Sequence, residues 1–179
     1  MHLRLATLDD IPALSALITE SAQGLSADYY SERQIAAAIR YVFGVDTQLI
    51  HDGTYWAVEE ETQLLGCGGW SFRQTLYGGN QMKASTDPRL DPATDPARIR
   101  AFFVHPDHAR RGIGKSLLTT CLAAAKTAGF HTVELMATLP GVPLYEAFGF
   151  IPCEAVITTL PDGTDLPFVR MARALATQA

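Results

Sequence analysis

Two spacings of apolar residues alternate along the chain, and they predict most of its elements. His2 to Ala6 alternates as a short strand does. Thr7 with Asp10 three residues on forms a capping box, and a helix is expected to about Ser21 with Ile11, Leu14, Leu17 and Ile18 on its inner face. Ser31 with Gln34 repeats that signature and opens a second helix through Ile35, Ile39, Val42 and Phe43 to a stop at Gly44. Thr54 to Glu59 and Leu64 to Trp70 read as a hairpin whose tip carries Glu60 and Glu61. Three Asp-Pro pairs and Gly78-Gly79 keep residues 71–97 out of regular structure, so a long ordered loop is expected there. Ile99 to Val104 is an apolar, strand-favouring run ended by Pro106. Leu117, Leu118, Cys121, Leu122 and Ala125 then mark the buried face of a long helix that stops at Gly129. His131 to Met136 is a further strand, and Pro143 fits the first turn of a short helix carrying Tyr145. Ala155 to Thr159 and Phe168 to Met171 pair across the turn at Pro161-Asp162-Gly163. The expected order is β-α-α-β-β-β-α-β-α-β-β, an α/β chain without internal repeats.

Composition narrows the class. A chain of 179 residues is most simply one domain, able to bury about 70% of its unfolded surface. The hydrophobic fraction of 47% and charged fraction of 18% are those of a soluble globular protein. A net charge of −5 argues against a general nucleic-acid binder. No apolar run has the length of a membrane span, and no signal peptide is apparent. Cys67, Cys121 and Cys153 are odd in number and lack metal-type spacing, which suggests free thiols in a reducing cytoplasm.

The chemistry concentrates in Arg110-Arg111-Gly112-Ile113-Gly114-Lys115-Ser116, between a strand and a helix. The first amides of a helix lack partners and carry partial positive charge, glycines let a ligand approach the backbone, and three cations reinforce the field. The turn therefore suits a phosphate. Gly114-Lys115-Ser116 matches the end of a nucleotide P-loop, but Ala109 occupies the position of that motif's first glycine. His105 and His108 have no third ligand nearby, so no metal is expected; solvated or capping roles suit them.

The same turn resembles the [QR]-x-x-G-x-[GA] loop of the Gcn5-related N-acetyltransferases, with Gly112 and Gly114 at the small positions and Ala109 in place of Gln or Arg. Val142-Pro-Leu-Tyr-Glu-Ala-Phe-Gly-Phe150 is similar to that family's second signature. The resemblance implies a mixed, mostly antiparallel sheet splayed between its two middle strands, with helices on both faces. It implies acetyl-CoA as cofactor, its pyrophosphate held over residues 110–116 and its pantetheine along Phe102, Phe103 and Val104. The amide of Val104 is the expected oxyanion donor and Tyr145 the expected general acid. The acceptor is a small amine chosen by residues 22–31, with Tyr29 and Tyr30, and by the 71–97 loop. Homodimers are common in the family.

Arg98 and Arg100 are expected to share one strand face with Phe102 in a covered sheet. Such arginines either pair with internal carboxylates such as Glu134 or Asp95, or face an acceptor bearing a carboxylate. Glu134 more naturally partners an arginine than acts as base. A non-catalytic acyl-CoA-binding module on the same fold is the alternative function.

Overall fold

The computed structural model describes residues 1–84 and 86–175. Its centre is one seven-stranded sheet in the order β1-β2-β3-β4-β5-β7-β6. The strands are β1 (His2–Leu5), β2 (Tyr55–Glu60), β3 (Gln63–Ser71), β4 (Ala97–Val104), β5 (Thr132–Thr138), β6 (Ile151–Thr159) and β7 (Asp165–Ala174). All neighbours pair antiparallel except β4 and β5, which run parallel.

One face carries α1 (Ile11–Leu25), α2 (Glu32–Tyr41) and the short α3 (Thr47–His51). The other carries α4 (Ile113–Thr127) and α5 (Val142–Ala147). Each helix lies where its apolar stripe predicts: Leu14, Leu17 and Ile18 of α1 and Leu117, Leu118 and Cys121 of α4 are buried. Ser31 caps α2 through a reciprocal exchange, Gln34 N to Ser31 Oγ at 3.2 Å and Ser31 N to Gln34 Oε1 at 3.0 Å.

Among the differences from the sequence pattern, four have a reason in the packing. Helix α1 runs on past Ser21, because Gly24 lets the backbone pack against the ring of Pro106. The five residues of α3 are too few to show a periodicity; Asp46 caps them, accepting from Gln48 N at 3.0 Å. Strand β6 begins at Ile151, ahead of the expected start, and Pro152 is tolerated because β6 is the sheet's last strand. The fourth difference lies in β4. Cys67 faces Phe103 and Gly69 faces Arg100, so Ala101 and Phe102 together oppose Gly68 in a β-bulge. Ala101 adopts φ 54°, and its carbonyl accepts from the buried Tyr55 hydroxyl at 3.1 Å. The bulge breaks the alternation: Phe102 turns toward α4, and the expectation that it shares a face with Arg98 and Arg100 is corrected. A side chain at position 68 would meet the Phe102 ring at 2.8 Å, which accounts for glycine there.

Candidate active site

Strands β4 and β5 are paired only at Ala97↔Val133 and Arg98↔Glu134, and beyond that point they separate. Phe103 is registered with Cys67, and His105 N donates to Leu65 O at 2.9 Å, so these residues address β3. By alternation, Phe102 and Val104 present their backbone groups to the gap.

A groove of about 560 Å³ occupies the gap. Its floor includes Phe102, Phe103 and Val104, and its far end is formed by Ala109, Arg110, Gly112, Ile113, Gly114 and Lys115. Arg110 and Gly112 take left-handed φ values of 64° and 84°, which turn the chain into α4. Nothing lies within 4 Å of where a Gly112 side chain would begin, so the backbone there is open to a ligand. Arg111 and Ser116 do not line the groove. Arg111 instead contacts His108 Nδ1 at 2.5 Å and Glu60 at 3.7 Å. His105 caps the preceding turn, its Nδ1 accepting from Asp107 N at 3.2 Å.

A second cavity of about 70 Å³ lies on the other side of the bulge, lined by Val42, Phe43, Tyr77, Met136 and Phe168 among others. The two share Phe43, Phe102, Phe103, Thr138 and Tyr145. Tyr145 therefore stands where they meet, its ring edge-on to Phe102 and Phe150. Its hydroxyl makes no hydrogen bond among the described residues, and burial holds its pKa well above the usual phenol range.

Both arginines of β4 have internal partners. Arg98 pairs with Glu134, which Arg170 also contacts at 3.1 Å. Arg100 is buried; it donates to Asp46 Oδ2 at 2.9 Å, Thr75 O at 2.8 Å and Gly78 O at 2.7 Å. Burial lowers its pKa while Asp46 opposes that shift. Tyr29 lines the larger groove. Tyr30 is buried, donating to Pro167 O at 2.8 Å and accepting from Leu139 N at 2.9 Å, which ties the turn between α1 and α2 to β7 and to the turn that follows β5.

Two residues were missed from the sequence. Ser21 is buried on α1 at the groove, and its Oγ accepts from the Val104 amide at 3.1 Å. Its sign in the sequence is a polar residue that falls among Leu14, Leu17, Ile18 and Ala22 on the apolar stripe. Asp46, fully buried, joins Arg100 to Lys83 Nζ, which lies 2.6 Å from Oδ1. It sits in a short loop without periodicity and left no such sign.

Among known proteins, the profile of the acetyltransferase (GNAT) family matches residues 16–150, which contain the gap, the 110–116 turn and Tyr145. The N-acetyltransferase YsnE of Bacillus subtilis, itself uncharacterized, is 27% identical over 106 residues, 56% of this chain and 58% of that protein. The chain thus matches less than two thirds of that relative's length. A Gcn5-related N-acetyltransferase of Rhodopseudomonas palustris superposes with a TM-score of 0.70 at 19% identity, covering 97% of this chain and 95% of its own. PaiA N-acetyltransferase of Thermoplasma acidophilum, solved with coenzyme A, gives 0.62 at 15% identity over 97% and 98% of the two chains. The yncA protein of Salmonella typhimurium, solved with acetyl-CoA, gives 0.63 at 16% identity over 100% and 96%. These likenesses establish the fold, and they displace the P-loop reading of the turn. With the family profile spanning both the splayed strands and the glycine turn, the chain belongs to the Gcn5-related N-acetyltransferase family.

Proposed function

We propose that the protein transfers an acetyl group from acetyl-CoA to the amine of a small molecule. The observation that carries this reading is the meeting of two cavities at Tyr145, where β4 has lost its parallel partner. Bound acetyl-CoA supplies an acyl group activated as a thioester, which a neutral amine can displace from sulfur. The remaining work belongs to the chain.

The residues present fit the cofactor. Gly112 leaves the first amides of α4 accessible to a pyrophosphate, Gly114 makes room for the Leu144 side chain, and Arg110 and Lys115 add positive charge at that end of the groove. Phe102 and Val104 lie on a strand edge that the amides of pantetheine can use as an added strand would, the Val104 amide once it gives up its bond to Ser21. The Ser21 hydroxyl accepts from that amide and keeps its own proton free to donate at the gap, and the Val104 amide becomes a second donor when a ligand displaces Ser21. A donor aimed at charge that develops on a carbonyl oxygen can contribute about 3 kcal/mol. Burial disfavours the phenolate, so Tyr145 keeps its proton on Oη and can hydrogen-bond it to a departing thiolate, whose developing charge draws the proton across.

The test is thermal stability with acetyl-CoA, coenzyme A or Mg-ATP, followed by thiol release in the presence of amines. A ligand that binds only the folded state at 100 times its Kd adds about 2.7 kcal/mol, a shift of several degrees. Acetyl-CoA raises Tm, Mg-ATP does not, and an amine releases thiol. No shift with either CoA species overturns the reading; a shift without amine-dependent thiol release leaves a binding module instead.

A further inference from the structure

We infer that the smaller cavity receives a compact, uncharged apolar group on the acceptor amine, and that acceptors bearing a carboxylate or a second cation are rejected. This rests on the acetyltransferase reading above and names its substrate class.

The side walls of the cavity are Val42, Phe43, Tyr77, Met136 and Phe168, with the Tyr77 ring packed 5.3 Å from that of Phe168. The formally charged residue in its lining is Arg100. That guanidinium is already satisfied by Asp46 and the carbonyls of Thr75 and Gly78, and its side chain is 1% exposed. Asp46 is satisfied as well: Oδ1 receives Gln48 N and Lys83 Nζ, and Lys83 lies 3.4 Å from Asp87. Two cations thus meet two carboxylates, and the cluster is neutral. An acceptor carboxylate would have to displace Asp46 or two carbonyls to reach Arg100, leaving buried groups unpaired. A second ammonium would find no partner, because among the described residues lining either cavity none is a carboxylate or an imidazole. Size sets the last condition. A cavity of about 150 Å³ holds benzene, so a space of about 70 Å³ suits a small branched aliphatic group.

Isopentylamine, leucine and 1,4-diaminobutane separate these chemistries, since leucine is isopentylamine with a carboxylate added. With the wild-type protein and saturating acetyl-CoA, kcat/KM for isopentylamine exceeds that for either of the others at least 100-fold. Leucinamide, which masks the carboxylate, outperforms leucine. Tyr77→Ala widens the cavity and shifts preference at least tenfold from isopentylamine toward phenethylamine, with the acetyl-CoA-dependent Tm shift retained. The inference is overturned if leucine or the diamine is the better acceptor, or if acetyl-CoA binds and none of the apolar amines is acetylated. Loss of the acetyl-CoA shift itself is a different result; it removes the acetyltransferase reading and this inference with it.

Discussion

Tyr145 shows how one side chain can pack on both sides and still leave its hydroxyl free for the role proposed above. Its ring lies between Phe102 and Phe150, while its hydroxyl has no partner among the described residues. Phenylalanine in its place keeps the ring contacts and removes only the proton. Tyr145→Phe is therefore expected to lower kcat by 10²-fold or more, in the range of lost acid catalysis, with acetyl-CoA affinity unchanged by calorimetry. Other buried groups add a response to alkaline pH, and burial raises the Tyr55, Cys121 and Tyr145 side chains too. Burial pushes the Cys67 thiol up to about 12 and the Tyr30 phenol up to about 12. The unfolded chain releases these protons from about pH 9 and pH 10, where the folded protein still holds them. Each group's contribution is thus complete below its unfolded pKa and lost as pH rises toward the folded value. Urea midpoints should stay level from pH 7 to about 8.5 and then fall, by up to about 1.4 kcal/mol per pH unit for each group. Cys67→Ala should remove only its share of the earlier part of that fall, because burial raises the Cys121 thiol as well.

At the scale of the element, the bulge in β4 has the largest effect on the site. It places Arg100 on the α3 side, where Asp46 receives it, and Phe102 on the α4 side, where it floors the groove. Ala101 is held at a positive φ that β-branched residues adopt only at substantial cost. Ala101→Val is expected to destabilise the protein by about 2 kcal/mol in urea unfolding. None of this could be read from Arg-Ile-Arg-Ala-Phe-Phe-Val, because an apolar run gives the strand but no register, and alanine does not advertise a left-handed residue as glycine does. The helices and the hairpin were legible for the opposite reason. Their periodic stripes and capping pairs, such as Ser31 with Gln34, are local and need no partner to be recognised.

Over the whole molecule, the sequence displayed the strands in order and two pairs of neighbours, β2 with β3 and β6 with β7, but not the remaining pairings. That β7 inserts between β5 and β6 depends on pairings as distant as Thr132 with Ala174. The turn at 110–116 and the Tyr145 helix were readable as motifs, whereas the cluster of Asp46, Lys83, Asp87 and Arg100 joins three separate stretches and is visible only when folded. Glu134 occupies a comparable position, since Arg98 and Arg170 both contact it. Glu134→Gln takes the carboxylate from the largely buried Arg98, while Arg170 keeps Glu154 at 3.3 Å, and is expected to cost about 3 kcal/mol by urea unfolding.

The two-residue pairing of β4 with β5 also has a mechanical meaning. Strands β1–β4 and β5–β7 form two stiff plates, and the Arg98–Glu134 pair lies at their common hinge pin. The backbone joins the plates along that short line, and the core around Ile99, Leu118, Val133 and Met171 spans it; rotation about the line breaks fewer hydrogen bonds than bending either plate. A ligand that hydrogen-bonds across the open end acts as a strut and locks the angle. Native-state hydrogen exchange should register this directly: without ligand the two plates open as separate units, and with acetyl-CoA their slowest amides exchange together. Substrate capture in this protein would then be the conversion of a hinged sheet into a rigid one.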